Sequence, residues 1–202
     1  MFMKTLVSSL IALFITLTSF AQLEQRTWLV GGSGSFYTYT DKYSSPNLNQ
    51  TGKWTEISLA PSVGYFFEDK FCGGIRATFS SSKGTNTASD GTISTANQYY
   101  LSGGPFVRYY FLEMDKPFNI LTDVGYQLGV KQYLGAFHQK GKYNMFSAMT
   151  GIEAFFTSSA SIEFLLGYSQ KITSIDDNTA AAFTDTKNGL QASIGFQLHL
   201  IK

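Results

Sequence analysis

The sequence predicts an all-β chain, an eight-stranded antiparallel up-and-down transmembrane β-barrel. Three observations predict it. Long stretches alternate apolar and polar residues with period two, as a strand with two unlike faces must. One hairpin unit returns at a nearly constant spacing. The connections are alternately short and long, and the long ones are rich in Ser, Thr, Asn, Asp and Lys.

The alternation is clearest over residues 54–79. Ile57, Leu59, Pro61, Val63, Tyr65 and Phe67 share one face; Glu56, Ser58, Ala60, Ser62 and Gly64 share the other. Glu68, Asp69 and Lys70 interrupt the run. Phe71, Gly73, Ile75, Ala77 and Phe79 then alternate with Cys72, Gly74, Arg76 and Thr78. This is the pattern of two antiparallel strands and a tight turn. Strands of about ten residues cross a bilayer when tilted. The unit Pro61-Ser62-Val63-Gly64-Tyr65-Phe66-Phe67 returns as Pro105-Phe106-Val107-Arg108-Tyr109-Tyr110-Phe111, and more weakly over residues 150–156. Each period holds two long strands, whereas a propeller blade needs four.

In chain order, residues 1–21 read as a secretory signal peptide, with Lys4 before an apolar run at 6–17 and a small-x-small site at Ser19-Phe20-Ala21. The barrel domain is then 22–202. No cysteine follows the apolar run, which excludes a lipoprotein anchor. The single cysteine, Cys72, has no internal partner and falls on the face away from lipid. Strands are expected at about 27–40, 54–67, 71–79, 97–112, 118–133, 142–156, 160–172 and 188–201. Short turns fall at 68–70, 113–117 and 157–159, and long loops at 41–53, 80–96, 134–141 and 173–187. In such a barrel the termini and short turns face the periplasm and the long loops face outward. Gly31-Gly32-Ser33-Gly34 lacks the helix and lysine of a phosphate loop and reads as a bend or a close approach. Pro61 and Pro105 each remove a ladder donor, so a bulge or local bend is expected at both.

Charged residues make up 14% of the chain and aromatics 16%, with 19 glycines. So few charges suit a surface that meets lipid. The net charge of +1 gives no electrostatic footprint for nucleic acid. Aromatics at the strand ends are expected to form two interfacial girdles. Tyr65, Phe67, Tyr109, Phe111 and Phe156, with their neighbours Phe66, Tyr110 and Phe155, stand beside the short turns. Trp54, Tyr99, Tyr133 and Tyr143, with Tyr100, stand at the loop ends.

Parity sends Glu56, Arg76, Arg108, Asp123, Lys131, Glu153 and Glu163 to the barrel interior, opposite the apolar faces. A cationic side chain in lipid at the midplane would cost about 2–4 kcal/mol. An eight-stranded barrel is barely wide enough for its own side chains. The cluster is therefore expected to be a polar plug, or a narrow conduction path gated by its ion pairs. Of the two histidines, His138 lies in a polar loop and His199 near the periplasmic end, and both read as structural. No catalytic set and no metal or cofactor site assembles from the sequence. Asp176-Asp177-Asn178 lacks the spacing and glycine of a calcium loop.

The repeated Pro105–Phe111 unit, the 60–71 hairpin and the alternating last strand together resemble the small outer-membrane β-barrel family, OmpX/OmpA-type and porin-like. The resemblance spans roughly residues 27–202. Ser193-x-Gly195-x-x-Leu198-x-Leu200 resembles the signal read by the barrel-assembly machinery, but the chain ends Leu200-Ile201-Lys202 where the family ends on an aromatic residue. The resemblance implies a cell outer membrane location and outer-membrane lipids as surroundings. The role expected is non-enzymatic: envelope structure, with loop-mediated binding of an extracellular protein or glycan. The alternatives are a low-conductance porin-like channel, a lipid-modifying enzyme, and a soluble lipocalin-like barrel whose apolar face would turn inward.

Overall fold

The structure is a computed structural model that describes residues 23–45, 48–88, 91–134, 140–175 and 183–201. The expected signal peptide, His138 and Asp176-Asp177-Asn178 lie outside these residues. Eight strands follow one another around a closed barrel. They are β1 (Trp28–Ser45), β2 (Leu48–Glu68), β3 (Phe71–Ala88), β4 (Ile93–Tyr110), β5 (Phe118–Leu134), β6 (Lys140–Phe155), β7 (Ala160–Ile175) and β8 (Phe183–Leu200). Every strand pairs antiparallel with its sequence neighbour, and β1 pairs with β8 to close the ring. Closure leaves no sheet edge whose backbone groups would be stranded in lipid.

Side chains sort by parity as the alternation requires. On β2, Ile57, Leu59, Val63 and Phe67 point out, while Glu56, Ser58, Ser62 and Phe66 are buried inside. Ile75 is 71% exposed and Leu190 80%. Apolar side chains so exposed all round a closed barrel mark a surface built for lipid. This rules out the lipocalin-like alternative, which needs its apolar face inward. Ten steps separate Phe67 from Ile57, about 34 Å at ~3.4 Å per residue. Tilted by about 40°, that run is about 26 Å tall, close to the ~25 Å lipid-facing band of such barrels.

The strands continue past this band, which corrects two of the expected loops. Residues 41–53 and 80–96 are mostly ladder: β1 and β2 pair up to Ser45 opposite Leu48, and β3 and β4 up to Thr87 opposite Ile93. Their polar composition does not prevent strand, and threonine, being β-branched, suits it. The other long connections also shrink, with strand reaching Leu134 and Lys140, and Ile175 and Phe183. The first two hairpins therefore stand above the apolar band as a wall.

The ladders show no bulge at the prolines, where a bulge or a local bend is expected. Pro61 pairs with Gly32 on β1, while the β2–β3 ladder skips from Leu59–Phe79 to Ser62–Arg76 with its register kept. Pro105 pairs with Ile75, and the β4–β5 ladder skips from Gly103–Leu128 to Phe106–Gly125, again in register. Each proline thus sits in a two-residue gap on one side and a continuous ladder on the other. The register shift in β2–β3 falls lower, between Phe66 and Glu68, next to the turn. Lys70 closes that turn with φ 66°, a left-handed conformation that favours glycine.

Candidate functional site

The lumen is filled in layers, and the lowest is apolar. Leu23, Leu29, Phe66, Tyr110, Leu121 and Phe155 belong to one buried cluster at the end that carries the short turns. The segment before β1 is fastened there. Lys70 N–H donates to Leu23 O at 2.8 Å, and Gln25 N–H to Asp69 Oδ1 at 2.8 Å. These bonds hold Leu23, fully buried, across the barrel end.

Above this floor lies a network of buried charge. Arg108 on β4 is its hub. Its Nε donates to Asp123 Oδ2 at 3.1 Å, and its Nη1 to Glu163 Oε2 at 2.7 Å and to Tyr110 Oη at 3.3 Å. Glu153 Oε2 lies 3.7 Å from the same Nη1. Arg76 grips Asp123 in a bidentate pair, at 2.9 and 2.7 Å. Such fork-to-fork pairs fix geometry as well as charge. Tyr110 donates to Glu153 at 2.7 Å, Ser161 also bonds to Glu153, and His199 Nε2 stands 2.7 Å from Glu153 Oε1. Gln197 donates to Glu163 at 3.0 Å. Phe106 packs beneath both guanidiniums, 4.5 Å from Arg76 and 6.0 Å from Arg108. The ring fits because Gly64 and Gly74 leave it room: a Cβ on either would lie 3.1 or 2.8 Å from it.

A serine-lined chamber of about 50 Å³ follows, between Ser33, Ser58, Ser80, Ser147, Ser193 and Gln127, with Arg76 and Glu163 below and Lys171 above. One water needs about 10–15 Å³ by this measure, so the chamber has room for a few waters and no solute. Ser58 and Ser80 bond to each other at 2.8 Å, and Ser102 donates to Gln127 at 2.8 Å. The roof is Lys171 paired with Glu56, with Tyr100 between Lys131 (5.2 Å) and Lys171 (5.3 Å). Tyr143 meets Tyr100 edge-on at 5.4 Å beside Met145.

Glu56, Arg108, Asp123, Lys131, Glu153 and Glu163 are buried, and the Arg76 side chain is 12% exposed. The structure brings Arg76, Arg108, Asp123, Glu153 and Glu163 into one network and sets Glu56 and Lys131 apart in the roof. Sequence reasoning left out Lys171, His199, Tyr110 and Gln197 as members. All four share the inward parity of their strands, and that signal was available. With Lys171, four cations face four carboxylates among the described interior side chains. The lower layer carries two cations and three carboxylates, and the roof two cations and one.

Several girdle assignments are corrected. Trp54 and Tyr143 are buried in the lumen, as are Phe66, Tyr100, Tyr110 and Phe155. Trp54 lies flat over Gly84, where a Cβ would collide with its ring. Period two decides the face, and clustering at a strand end does not override it. Tyr99, Tyr109, Phe67 and Phe111 do point outward, joined by Trp28, which packs edge-on against Tyr65 at 5.1 Å. Phe156 is half-buried beyond the end of β6. The Tyr133 side chain lies outside the described ones. Cys72 is buried in the floor cluster.

Ser161 and His199 converge on one oxygen of Glu153 and anchor that carboxylate. Both side chains are fully buried, and Phe66 and Phe155 of the floor pack against the His199 ring.

No family model matches the chain, and no curated protein matches it. Solved structures do. The outer membrane protein OprG from Pseudomonas aeruginosa superposes with a TM-score of 0.55 at 12% identity, covering 90% of this chain and 100% of OprG. The fold is that of a small outer-membrane β-barrel. Neisserial surface protein A (NspA) is similar at a TM-score of 0.45 and 15% identity, over 85% of this chain and 96% of NspA.

Proposed function

We propose that this chain is a non-enzymatic integral protein of a Gram-negative outer membrane, exported by a signal peptide at residues 1–21. Its barrel is closed, and it serves envelope structure while presenting the wall above the membrane to extracellular partners. One observation carries the reading: the lumen is stopped three times over. Leu23 and its neighbours seal the periplasmic end, the Arg108 network fills the section above, and the Lys171–Glu56 pair with Tyr100 crosses the upper end. A pore would need these layers displaced together, and each is fastened to several strands.

The test is single-channel conductance of the refolded chain, residues 22–202, in planar bilayers. A folded barrel, shown by its heat-modifiable migration, is expected to be silent. Discrete conductance steps that change with Arg76→Ala or Arg108→Ala would overturn the reading in favour of a narrow channel lined by those charges.

A further inference from the structure

The membrane-facing wall of β2 to β5 is not uniform. One row across the strands runs Ile57, Ser81, Tyr99, Gln132, each residue register partner of the next. The row beneath runs Leu59, Phe79, Leu101, Val130. Ser81 is the small member of the upper row, between two large ones. It forms the floor of an outward groove of about 550 Å³, walled by Ile57 and Tyr99 and continuing over the apolar row below. The groove lies at the top edge of the apolar band, at the level where acyl chains give way to headgroups.

Its upper end is basic. Lys83 is two residues beyond Ser81 on the same strand and the same face, about 7 Å away. Lys53 projects outward one row higher, opposite Thr85. Both are exposed. Among the described outward side chains of β2 to β6 above the groove there is no carboxylate; the neighbours are Thr55, Thr85, Thr95 and Asn97. The acidic residues Glu68, Asp69, Glu113 and Asp115 gather at the opposite end of the barrel. Hydrocarbon below and positive charge directly above are the complement of one kind of molecule.

We infer that this groove is a binding site for an anionic membrane lipid, one whose phosphate carries no cation of its own. One acyl chain lies over Ser81 between Ile57 and Tyr99, and the phosphate is held by Lys53 and Lys83. The inference rests on the membrane-spanning fold and is independent of whether the lumen conducts. A basic residue near a membrane surface favours an anionic lipid by about fivefold.

Native mass spectrometry of the refolded full chain tests it, in detergent micelles doped with equal amounts of phosphatidylglycerol and phosphatidylcholine. The wild-type barrel is expected to retain phosphatidylglycerol at least tenfold over phosphatidylcholine. Lys53→Gln/Lys83→Gln, two exposed positions whose change leaves the fold intact, should bring that ratio to within about fivefold. Ser81→Trp fills the groove and should lower retention of both lipids. Lys116→Gln, at the periplasmic turn, should change nothing. Equal retention of the two lipids by the wild type, or an unchanged preference in the double lysine variant, would overturn the headgroup assignment. Full retention in a heat-modifiable Ser81→Trp barrel would overturn the groove. Conductance measured on the same preparations reports separately on the closed-lumen reading.

Discussion

Arg108→Ala is the most informative perturbation of the lumen. The wild-type guanidinium is 1% exposed and contacts Asp123, Glu163, Glu153 and Tyr110. Its loss does not strand these groups equally. Asp123 keeps both bonds from Arg76, and Glu153 keeps Tyr110, Ser161 and His199. Among the described residues Glu163 keeps Gln197 alone, a neutral donor, so its carboxylate is left buried without a cation there. Breaking a buried pair in this way costs about 3–5 kcal/mol. Arg76→Ala should cost less, about 1–3 kcal/mol, because Arg76 is partly exposed and Asp123 retains Arg108. Urea titration of the refolded barrel in detergent, followed by tryptophan fluorescence, reads both. With a slope near 2 kcal/mol/M, the Arg108→Ala midpoint should fall by about 1.5–2.5 M. Adding Glu163→Gln removes the stranded charge and should restore part of that loss. A fall below about 0.5 M at unchanged slope would refute the reasoning, as would the absence of any recovery in the double variant.

Two further outcomes follow from side-chain placement. The two tryptophans lie on opposite sides of the wall, so brominated lipids should quench the fluorescence of Trp54→Phe, which retains Trp28, and spare that of Trp28→Phe. Acrylamide should also fail to reach Trp54, which is 7% exposed, and strong quenching by either agent would place that ring outside. Gly74→Ala should destabilise the barrel by about 1–3 kcal/mol, since its Cβ would lie 2.8 Å from Phe106 and 2.5 Å from Gly64 Cα. At Gly103 the nearest atom is Arg76 O at 3.8 Å, so Gly103→Ala should be neutral or slightly stabilising in the same titration.

The sequence by itself determined the strand count, the antiparallel order and the inward or outward sense of nearly every side chain. Those properties depend on period-two geometry, which is local and is set by each residue's position along its own strand. It also determined that buried charge must be paired somewhere, because lipid outside and a crowded lumen inside leave no other place for it. Where local reasoning failed, it set composition above parity. Trp54 and Tyr143 were assigned to lipid for being aromatic near strand ends, and 41–53 and 80–96 to loops for being polar.

Only the tertiary structure decided which charges meet. Arg108 reaches Glu163 from β4 to β7, strands that are not neighbours, across a lumen whose width and stagger exist only once the ring is closed. The layering has the same origin. Leu23 seals the base because Lys70 and Asp69, more than forty residues on, hold the segment that carries it. Lys171 meets Glu56 because closure sets β7 and β2 across the lumen from one another. Parity names the face a side chain takes, but its partner across the lumen depends on the shear and diameter of the closed barrel, which are properties of all eight strands together.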